Sequence, residues 1–571
     1  MSQGWPIQED SSVGAVFARA IGHMRTGESQ LAQSLLTSIL ERDPGNAESL
    51  HMLGVCMHFD GRYPDAERLI SAALRIDPHC AGAYLSRGNA LRSIGKIESA
   101  LEDFSRACLL DPTLTDGHFN RALALAELQQ TAAAIEAVER ALELAPDDLE
   151  AQGLRTNLLQ QQRRAALEML VRNQAERSAP LLESYVQRQP DDAGVWNDLG
   201  VTCNRLGRFE QALAMFGRAI ALTPEMAKAH SNLGNALYRV GRYADSEASY
   251  LRALQIDPDD HMSRWNLGLC RLVQGDLSQG WRDYEARWRQ RDSVNFARRD
   301  FFDLPWWRGE QDLAGRTILL HAEQGLGDAL QFSRYATMVV QRGAQVVLEV
   351  HEPLRPLMQR AFGASVVVVS RGEALPPFDL HCPLLSLPLA FGTTLENVPS
   401  RVPYLSASAQ HLEQWQSKLG AKTRPRIGLV WSGGAHHPFD ALRNVPLSAL
   451  RELELCDVEF IALQPQVRET DRPALDRFRN LRWLGESIAD FEDTAALVCL
   501  CDRVISVDTS VAHLAGALGR PLSILLPFAP DWRWLLGRED SPWYPTAHLL
   551  RQHEAGAWDP VVERLARNLA A

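Results

Sequence analysis

Prolines recur every 34 residues along the first half of this 571-residue chain, and this period constrains the fold more than any other feature. One series is Pro44, Pro78, Pro112 and Pro146, and a second is Pro190, Pro224 and Pro258. A fixed period of this length is typical of repeat proteins, in which each unit packs against its neighbours. The step of 44 residues between the two series predicts a ten-residue insertion near residues 149–158.

Small and bulky side chains also recur at fixed places within the period. Gly88 and Phe104 in one unit match Gly200 and Phe216 in another. A glycine lets paired helices approach closely, and the proline ends the second helix and starts the turn to the next unit. The pattern resembles that of tetratricopeptide repeats (TPRs), which implies an α-solenoid (a TPR superhelix) of about eight units over residues 13–294.

Three asparagines occupy the same place in their repeats, namely Asn120, Asn232 and Asn266. This series resembles part of the asparagine ladder in the TPR domain of O-linked N-acetylglucosamine transferases. Side-chain amides can hold an extended peptide backbone by hydrogen bonds without demanding a particular sequence. The resemblance implies that a protein acceptor docks on the groove at these residues. The alternative is a structural spacer, since a solenoid has a concave wall whether or not a partner binds it.

Charge and cysteine content argue against several classes of function. The net charge of −12 leaves no dominant basic face to neutralise phosphates, so nucleic acid is not an expected partner. The N-terminal residues lack the basic and apolar regions of a signal peptide, and no run of 18 apolar residues occurs. The nine cysteines never show CxxC spacing. We therefore expect a cytoplasmic protein with reduced thiols, no membrane span and no zinc framework.

Residues 295–315 predict a junction between two architectures. Pro305 cannot continue a helix, and the adjacent Trp306 and Trp307 are unlike the Gly/Ser-rich composition of a loose linker. We expect the two tryptophans to pack the last repeat against the next domain. Stacking on a sugar is the alternative for this pair.

From residue 316 short β-rich runs alternate with helical runs, which is the pattern of parallel sheets. One series spans residues 316–405. A second spans residues 420–571 and ends in a helix expected near 560–570, returning to the first series. Two consecutive Rossmann-like halves describe an α/β fold of the GT-B type, in which ligands bind in the cleft at the carboxyl ends of the strands.

The first motif that carries chemistry is the turn Gln324-Gly325-Leu326-Gly327-Asp328, between a strand and a helix. Its glycines let the backbone approach a ligand, and Asp328 is expected at the helix start, facing the cleft. The alternative is that Asp328 only caps the helix.

The second motif runs from Asp508-Thr509-Ser510 to His513, where a strand ends and a helix rich in small residues begins. The first N–H groups of that helix and the two hydroxyls suit a diphosphate, and His513 lies one turn further on. The alternative is an ordinary capped helix with a buried histidine.

The third motif is Trp431-Ser432-Gly433-Gly434, followed by His436, His437 and Arg443. A glycine turn followed by a cation suits neutralisation of a phosphate by Arg443. The adjacent histidines suggest a metal site or a proton shuttle. No Asp/Glu–His spacing accompanies them, which favours ordinary loop residues instead.

On these three motifs, residues 316–555 resemble the heptosyltransferase-like (glycosyltransferase family 9) branch of GT-B enzymes. The resemblance implies that Asp328 is the general base for an acceptor hydroxyl, and that Arg443 assists the leaving phosphate. It implies that Asp508–Ser510 and His513 hold the ribose and diphosphate of the donor. The implied donor site comprises Gly325, Gly327, Trp431, Ser432, Gly433, Gly434, Gln464, Asp508, Thr509 and Ser510, with Gln464 contacting the nucleotide base.

A TPR array joined to such a domain resembles bacterial protein glycosyltransferases, including those that modify flagellin. We therefore predict an inverting, metal-independent protein O-glycosyltransferase that needs a nucleotide-sugar co-substrate and no cofactor. Its acceptor would be a Ser or Thr of a protein docked on the repeats, with flagellin as the implied partner. If Asp328 is not the base, Glu323 and His436 are the next candidates. The alternatives are an enzyme acting on a surface polysaccharide or lipid-linked glycan, and a non-catalytic TPR scaffold with a degenerate transferase domain.

Overall fold

The structure is a computed structural model, which describes residues 12–289, 303–434 and 440–570. The chain forms two compact units, and the first ends at Leu206 where the second begins at Gly207. The pattern of the sequence predicts a change of architecture near residue 294 instead. The division between compact units therefore falls inside the repeat array.

The first unit consists of paired antiparallel helices. In the described chain up to Leu206 they are α1 (Val13–Arg25), α2 (Ser29–Arg42), α3 (Ala47–Phe59), α4 (Tyr63–Ile76), α5 (Ala81–Ser93), α6 (Ile97–Leu110), α7 (Thr115–Glu127), α8 (Thr131–Leu144), α9 (Leu149–Val171), α10 (Ala175–Arg188) and α11 (Ala193–Arg205). Helix α9 has 23 residues where α3, α5 and α7 each have 13. The ten extra residues lengthen one helix by almost three turns, and the predicted insertion at 149–158 lies within it.

The two helices of each pair are joined by a tight turn with one residue in the left-handed conformation. Gly27, Gly61 and Gly95 hold this place at 34-residue intervals, and Gln129 takes it in the next repeat with φ of 59°. A side chain is strained there because its Cβ approaches the following carbonyl oxygen. The repeat geometry thus imposes on Gln129 a backbone that suits glycine.

Paired helices touch where a glycine faces a bulky side chain of the next helix. A Cβ added at Gly88 would lie 2.5 Å from Cε1 of Phe104, and one added at Gly54 would lie 2.5 Å from Cγ1 of Ile70. Both bulky residues are fully buried. The glycine and the bulky residue of the sequence pattern are therefore two sides of one contact.

The second unit begins with five more helices of the repeat type, α12 (Phe209–Leu222), α13 (Ala227–Arg239), α14 (Tyr243–Ile256), α15 (His261–Gln274) and α16 (Leu277–Tyr284). Tyr250 and Trp281 from these helices belong to the same apolar core as Leu320 and Leu348 of a β-sheet. The indole of Trp281 donates to the carbonyl of Thr393 at 3.0 Å. These repeats are thus built into the α/β domain.

The first sheet has four parallel strands, β1 (Thr317–His321), β2 (Gln345–Val350), β3 (Val366–Ser370) and β4 (Leu380–Pro383), in the order β3-β2-β1-β4. Its helices are α17 (Leu326–Phe332), α18 (Arg334–Gln341), α19 (Arg355–Phe362) and α20 (Leu387–Ala390). Strand order reverses between β1 and β4, so the loop after β1 is at the switch point where such sheets bind ligands.

The second sheet has six parallel strands, β5 (Arg426–Val430), β6 (Glu459–Ala462), β7 (Leu481–Trp483), β8 (Arg503–Val507), β9 (Leu522–Leu526) and β10 (Ala547–Arg551). Its helices are α21 (Ala409–Leu419), α22 (Asp440–Arg443), α23 (Arg472–Leu475), α24 (Phe491–Leu500), α25 (Ser510–Ala517) and α26 (Asp559–Ala570). The order β10-β9-β8-β5-β6-β7 is that of a doubly wound Rossmann sheet, with its switch point between β5 and β8. The α/β fold of two Rossmann-like halves predicted from the sequence is thus present.

One local expectation for the second half is wrong. The terminal helix α26 does not return to the first half. Its Val561, Val562 and Leu565 pack in the core of the second sheet with Leu429 and Phe460. The apolar face of the helix fits whichever sheet is nearest in space, which the sequence pattern does not specify.

The tryptophans of the junction pack in the protein. Trp307 is fully buried, and its indole donates to the carbonyl of Gln311 at 3.1 Å. Trp306 forms a backbone bridge with His381 of β4 and lies edge-on to Trp288, which follows the last repeat helix. Both tryptophans therefore pack against protein side chains, as expected for this pair.

Each of the nine cysteines is a free thiol. Across the described ranges, no helix combines the length and the apolar character needed to cross a membrane.

Candidate active site

A cavity of about 790 Å³ lies between the two Rossmann-like halves of the second unit. Its wall is formed by the loops that follow the carboxyl ends of β1, β5, β6 and β8, together with segments after β7 and β9. A volume of this size accommodates a ligand of drug or nucleotide dimensions. The two switch points of the sheets thus open onto one site.

Asp328 lies on the cavity wall at the start of α17. Its Oδ2 accepts a hydrogen bond from the Gly325 N–H at 2.7 Å, and its Oδ1 accepts one from the Arg533 guanidinium. The side chain is 16% exposed. Asp328 therefore caps the helix and faces the cavity at once, so the two interpretations of the sequence coexist in one side chain.

Arg533 comes from the second half, on a short turn after β9, and sequence reasoning missed it. Burial opposes its charge, but the carboxylates of Asp531 and Asp328 outweigh that effect and raise the pKa of the guanidinium. Arg533 is therefore a fixed cation on the cavity wall. No spacing in the sequence singles out this arginine, because its partner lies 205 residues away.

The second motif lines the same cavity. Helix α25 begins at Ser510, and Asp508 and Thr509 form the turn between β8 and the helix. The first N–H groups of a helix have no partner within the helix and carry its positive dipole end. Arg443 reaches this turn from the third motif, donating to the Asp508 carbonyl at 3.1 Å. Cationic and N–H donors are therefore gathered at one point of the wall.

The surroundings of Asp508 disfavour the charged form of its carboxyl group. Burial and the neighbouring Asp531 raise the pKa of its carboxyl to about 6, although Arg533 and Arg443 act in the opposite direction. A carboxyl that titrates near neutral pH inside a cleft is a functional-site feature.

His513 is enclosed by aromatic side chains one turn into α25. Its Nδ1 lies 3.0 Å from the Tyr544 hydroxyl, and its ring stacks on Trp534. Burial, together with the charges of Arg533 and Arg334, lowers the pKa of His513 well below its ordinary value. The imidazole is therefore neutral at physiological pH, with Nε2 4.0 Å from the Asp508 carboxylate.

Gly327 allows the two halves to meet at the cavity floor. A Cβ at this position would lie 2.8 Å from Cδ2 of His513 and 3.5 Å from Cα of Ser510. Any larger residue would push the first motif away from the second. The glycine of the first motif is thus explained by close packing across the cleft.

The third motif forms a turn held by side chains of its own half. The Gly433 N–H donates to Oδ1 of Asn444 at 2.9 Å, and Arg468 donates to the Gly433 carbonyl at 3.0 Å. Gln464 accepts hydrogen bonds from the N–H groups of Trp431 and Ser432 through its Oε1. Gln464 lines the cavity while it holds this turn.

Most residues predicted for catalysis and donor binding line this one cavity: Gly325, Gly327, Asp328, Ser432, Gly433, Gly434, Arg443, Gln464, Asp508, Thr509, Ser510 and His513. Trp431 is the exception. Its side chain is fully buried and donates to the Asp471 carboxylate at 3.0 Å, because the alternation along β5 turns it into the core. His436 and His437 lie outside the described residues.

Glu323, the second candidate base, forms an ion pair away from the cavity. It is buried in a two-pronged ion pair with Arg287, at 2.8 and 2.9 Å, and accepts the Leu385 N–H. It is not part of the cavity wall. Glu323 thus joins the end of the repeats to β1, and breaking such a buried pair costs about 3–5 kcal/mol.

The predicted asparagine ladder is divided between the units. Asn120 lies on α7 in the first unit, and Asn232 and Asn266 lie on α13 and α15 in the second. Asn266 donates to Oδ1 of Asn235 at 3.1 Å. Its amide is therefore engaged with a neighbouring helix.

His411, Asp490 and Asp493 lie close enough to share a cation. Both carboxylates already accept backbone N–H groups at the start of α24, and Asp493 also accepts the Trp415 indole. These contacts explain the cluster as helix capping.

Models of known protein families match the repeat region of the chain. The family described as tetratricopeptide repeat matches residues 23–86, 115–148, 163–227, 204–261 and 232–293, and the family described as TPR repeat matches residues 88–129. TPRs are thus present in the first part of the chain. They lead into the α/β domain that carries the cavity.

A similar protein is Protein FlbA of Caulobacter vibrioides, 26% identical over 427 residues, with 70% of each chain covered. Seventy per cent of 571 residues is more than the whole repeat array, so this likeness extends beyond the repeats.

Solved structures with helical repeats are also similar. A structure of Naa15/Naa10 bound to HypK-THB has 14% identity and a TM-score of 0.35; the match covers 50% of this chain and 44% of that one. The complex of the TPR2AB domain of yeast Sti1 with pHSP90 has 16% identity and a TM-score of 0.28, covering 44% of this chain and 93% of that one.

Proposed function

We propose that the protein is an O-glycosyltransferase that moves a sugar from a nucleotide-sugar to a Ser or Thr of a protein acceptor. The observation that carries the proposal is the single cavity at the switch points of two Rossmann-like sheets. Three motifs that lie far apart along the chain supply its polar wall.

In this proposal the donor diphosphate lies against the start of α25. Thr509 and Ser510 offer hydroxyls and N–H groups there, and Arg443 adds a cation within reach of the same turn. Charge-assisted hydrogen bonds of this kind stabilise the negative charge that develops on a leaving phosphate. The neutral imidazole of His513 is placed to contact the donor without adding a charge.

The chemistry is assigned to Asp328, which the first half contributes to the cavity wall. Its carboxylate takes the proton of the acceptor hydroxyl while that oxygen forms a bond to the anomeric carbon. The bond from the anomeric carbon to the phosphate oxygen breaks, and its electron pair leaves with the nucleoside diphosphate. The base and the phosphate donors belong to different halves of the domain, and we propose that the transfer inverts the anomeric configuration, as the resemblance of the motifs implies.

The repeats supply the acceptor in this scheme. TPRs are protein-binding modules, and docking raises the effective concentration of a tethered hydroxyl. The resemblance seen in the sequence makes flagellin the first acceptor to test.

The test uses Asp328→Asn in the full-length chain. Asparagine keeps the size of the side chain and can still accept a capping hydrogen bond, but it cannot take up the proton. We expect transfer to fall by about 10²–10⁴-fold, the usual effect of losing a general base. Calorimetric affinity for nucleotide-sugars should be unchanged, and intact-mass analysis of the acceptor measures transfer.

The matched control is Asp276→Asn. Asp276 caps α16 in the same unit by accepting the Gln279 N–H at 3.1 Å, away from the cavity. The Asp276→Asn variant should keep both its stability and its transfer activity close to those of the wild type, because Asn caps a helix about as well as Asp does. Equal transfer rates for the Asp328→Asn and Asp276→Asn variants would remove Asp328 from the mechanism.

A scaffold that binds a nucleotide-sugar without transferring it is a second candidate. It is favoured by the two contacts that Asp328 already makes, with Gly325 and Arg533. It predicts donor binding by the wild-type chain, with no added mass on any co-purified or supplied acceptor. An ionised carboxylate has about four acceptor positions, so two contacts leave room for a hydroxyl and we favour catalysis.

A further inference from the structure

Arg533 holds a place in the cavity that the proposed mechanism has not used. Its side chain is 8% exposed and lies on a short turn, Trp532–Trp534, between β9 and β10. A buried guanidinium requires partners for its fixed fork of N–H groups. The identity of those partners shows what the arginine does.

The guanidinium joins the two halves across the cavity. One edge contacts α17 of the first half, where Nη2 donates to Asp328 and Nε donates to Oε1 of Gln331 at 2.7 Å. The other edge stays in the second half, where Nη1 donates to Oδ1 of Asp531 at 2.8 Å. All three contacts depend on the planar fork, which a lysine does not have.

The turn that carries Arg533 is itself fixed by the last repeats. The guanidinium lies 4.3 Å from the centre of the Trp532 ring, and that ring packs edge-on to Trp281 of α16. The hydroxyl of Tyr238, on α13, donates to the Pro530 carbonyl at 3.4 Å. The position of the arginine therefore depends on the repeats of the second unit as well as on the two sheets.

Without the guanidinium, three carboxylates would remain close together. Asp328 and Asp531 would lose their shared cation, and Asp508 would lose one of the charges that hold its pKa down against burial and Asp531. The repulsion would turn Asp328 away from its place on the wall. With the cation present, Gly325 fixes one oxygen of Asp328 and Arg533 fixes the other, so the carboxylate is held from both sides on the cavity wall.

We propose that Arg533 is a positioning residue, which holds the Asp328 carboxylate in place and aimed at the acceptor hydroxyl when the two halves are together. This inference rests on the proposed glycosyl transfer. It goes beyond that proposal because it assigns the alignment of the base to a residue of the opposite half. Alignment then depends on closure of the cleft.

The experiment compares the wild-type chain with Arg533→Ala and Arg533→Lys. The probe is a set of UDP-, GDP-, dTDP- and CMP-linked sugars, and the readout is the release of free nucleotide with and without flagellin. We expect Arg533→Ala to lower kcat by about 10²-fold, the effect of misplacing a catalytic group by about 1 Å. The calorimetric affinity for the nucleotide-sugar that the wild type uses should stay within a few-fold. Arg533→Lys should recover only part of the loss.

Added guanidinium ion separates positioning from a general loss of structure. At concentrations far below those that unfold proteins, it should restore part of the rate of Arg533→Ala and leave that of Arg533→Lys unchanged. The control Arg538→Ala removes a guanidinium from the same segment whose partner, Asp540, is on the surface, and should keep the wild-type rate.

The outcomes are distinguishable. An active wild type with an Arg533→Ala variant of equal kcat overturns this inference and leaves the proposed function standing. A misfolded Arg533→Ala variant without guanidinium rescue, together with a fully active Arg533→Lys variant, also overturns it. A wild type that releases nucleotide from none of the probes overturns the proposed function and this inference with it.

Discussion

The repeats of the first unit and those of the second obey one packing rule in two different surroundings. Gly88 faces Phe104 in the first unit, and Gly234 faces Tyr250 at the same spacing in the second. An added Cβ would lie 2.5 Å from the Phe104 ring and 2.7 Å from the Tyr250 ring. The contact between paired helices is therefore the same in both regions.

The apolar cores that contain these two contacts differ in composition. Phe104 belongs to a small local core with Leu91, Ala100 and Ala124, all from the repeats. Tyr250 belongs to a core that also contains β-sheet residues such as Leu320. The 34-residue pattern thus specifies how two helices pair, while the burial of their remaining surface depends on the elements that come later in the chain.

Truncation tests this difference with the largest expected effect. A chain ending at Leu206 should keep its helices, because the first unit is compact on its own. A chain ending at Arg289 should aggregate or lose α15 and α16, because it exposes Trp281, which is 2% exposed in the whole protein and packs on Trp532. Circular dichroism and sedimentation measure both outcomes.

The repeat pattern taken alone predicts that a chain ending near residue 300 folds as a complete solenoid. A monomeric chain ending at Arg289 with full helicity would show that this pattern suffices and that the second unit is not obligatory.

Large-to-small substitutions in each region form the second test. Trp281→Ala removes an indole packed on Trp532 and bonded to Thr393, and Phe104→Ala removes the ring beneath Gly88. Each should cost about 3–5 kcal/mol of unfolding free energy. Calorimetry should place each loss in the transition of its own unit. Both variants shifting a single common transition would argue against two independent units.

Glycine-to-alanine substitutions should give smaller changes in stability, with opposite signs for the buried and the open positions. Gly88→Ala and Gly234→Ala should destabilise by about 1–3 kcal/mol, because the new methyl meets a buried ring. Gly153→Ala and Gly217→Ala are matched controls on helices α9 and α12, where an added Cβ meets nothing within 4 Å. They should stabilise by about 0.5–1 kcal/mol. Chemical denaturation measures all four, and equal signs for test and control would refute the shared contact.

Asp508 should add a pH-dependent term to the stability of the second unit. The pKa of Asp508 is raised to about 6 from its ordinary 3.8, so the folded state binds the proton more tightly. The unfolding free energy of the second unit therefore falls as pH rises from about 4 to 6, by up to about 3 kcal/mol. Asp508→Asn should remove this loss, making the variant more stable than the wild type at pH 7.5 and similar at pH 4. A pH-independent difference in melting temperature would contradict the assignment.

Gln129→Gly is the smallest test and concerns the first unit alone. Gln129 is exposed and has the left-handed backbone that glycines hold in neighbouring repeats. Replacing it should stabilise by about 1 kcal/mol, since the Cβ strain disappears. Gly95→Gln is the reverse substitution at the equivalent turn and should cost a similar amount. No change in denaturation midpoint for either variant would mean that the turn absorbs the strain.

Some residues of the candidate active site could be predicted from the sequence pattern, and others could not. Gly327, Asp328 and Asp508 could be predicted because each follows a strand, and parallel strands end at one edge of a sheet. Arg533 could not be predicted, because it lies in a segment without periodicity and meets Asp328 only through the fold. Trp431 was misplaced because a motif names neighbours in sequence, while strand alternation sends adjacent side chains to opposite faces.

By itself the sequence determined the elements whose energetics are local. Helix pairing follows from a glycine and a ring at a fixed spacing, and the strand-turn-helix motifs follow from short apolar runs ending in Gly, Asp and Ser. Only the tertiary structure decided which elements share a core, where α26 packs, and that the compact units divide at Leu206. The hydrophobic effect is non-directional. An apolar face in the sequence therefore predicts that the face is buried, but not which element buries it. The ion pair of Arg533 with Asp328 depends on that choice, since two charges far apart in sequence meet only after the halves have packed.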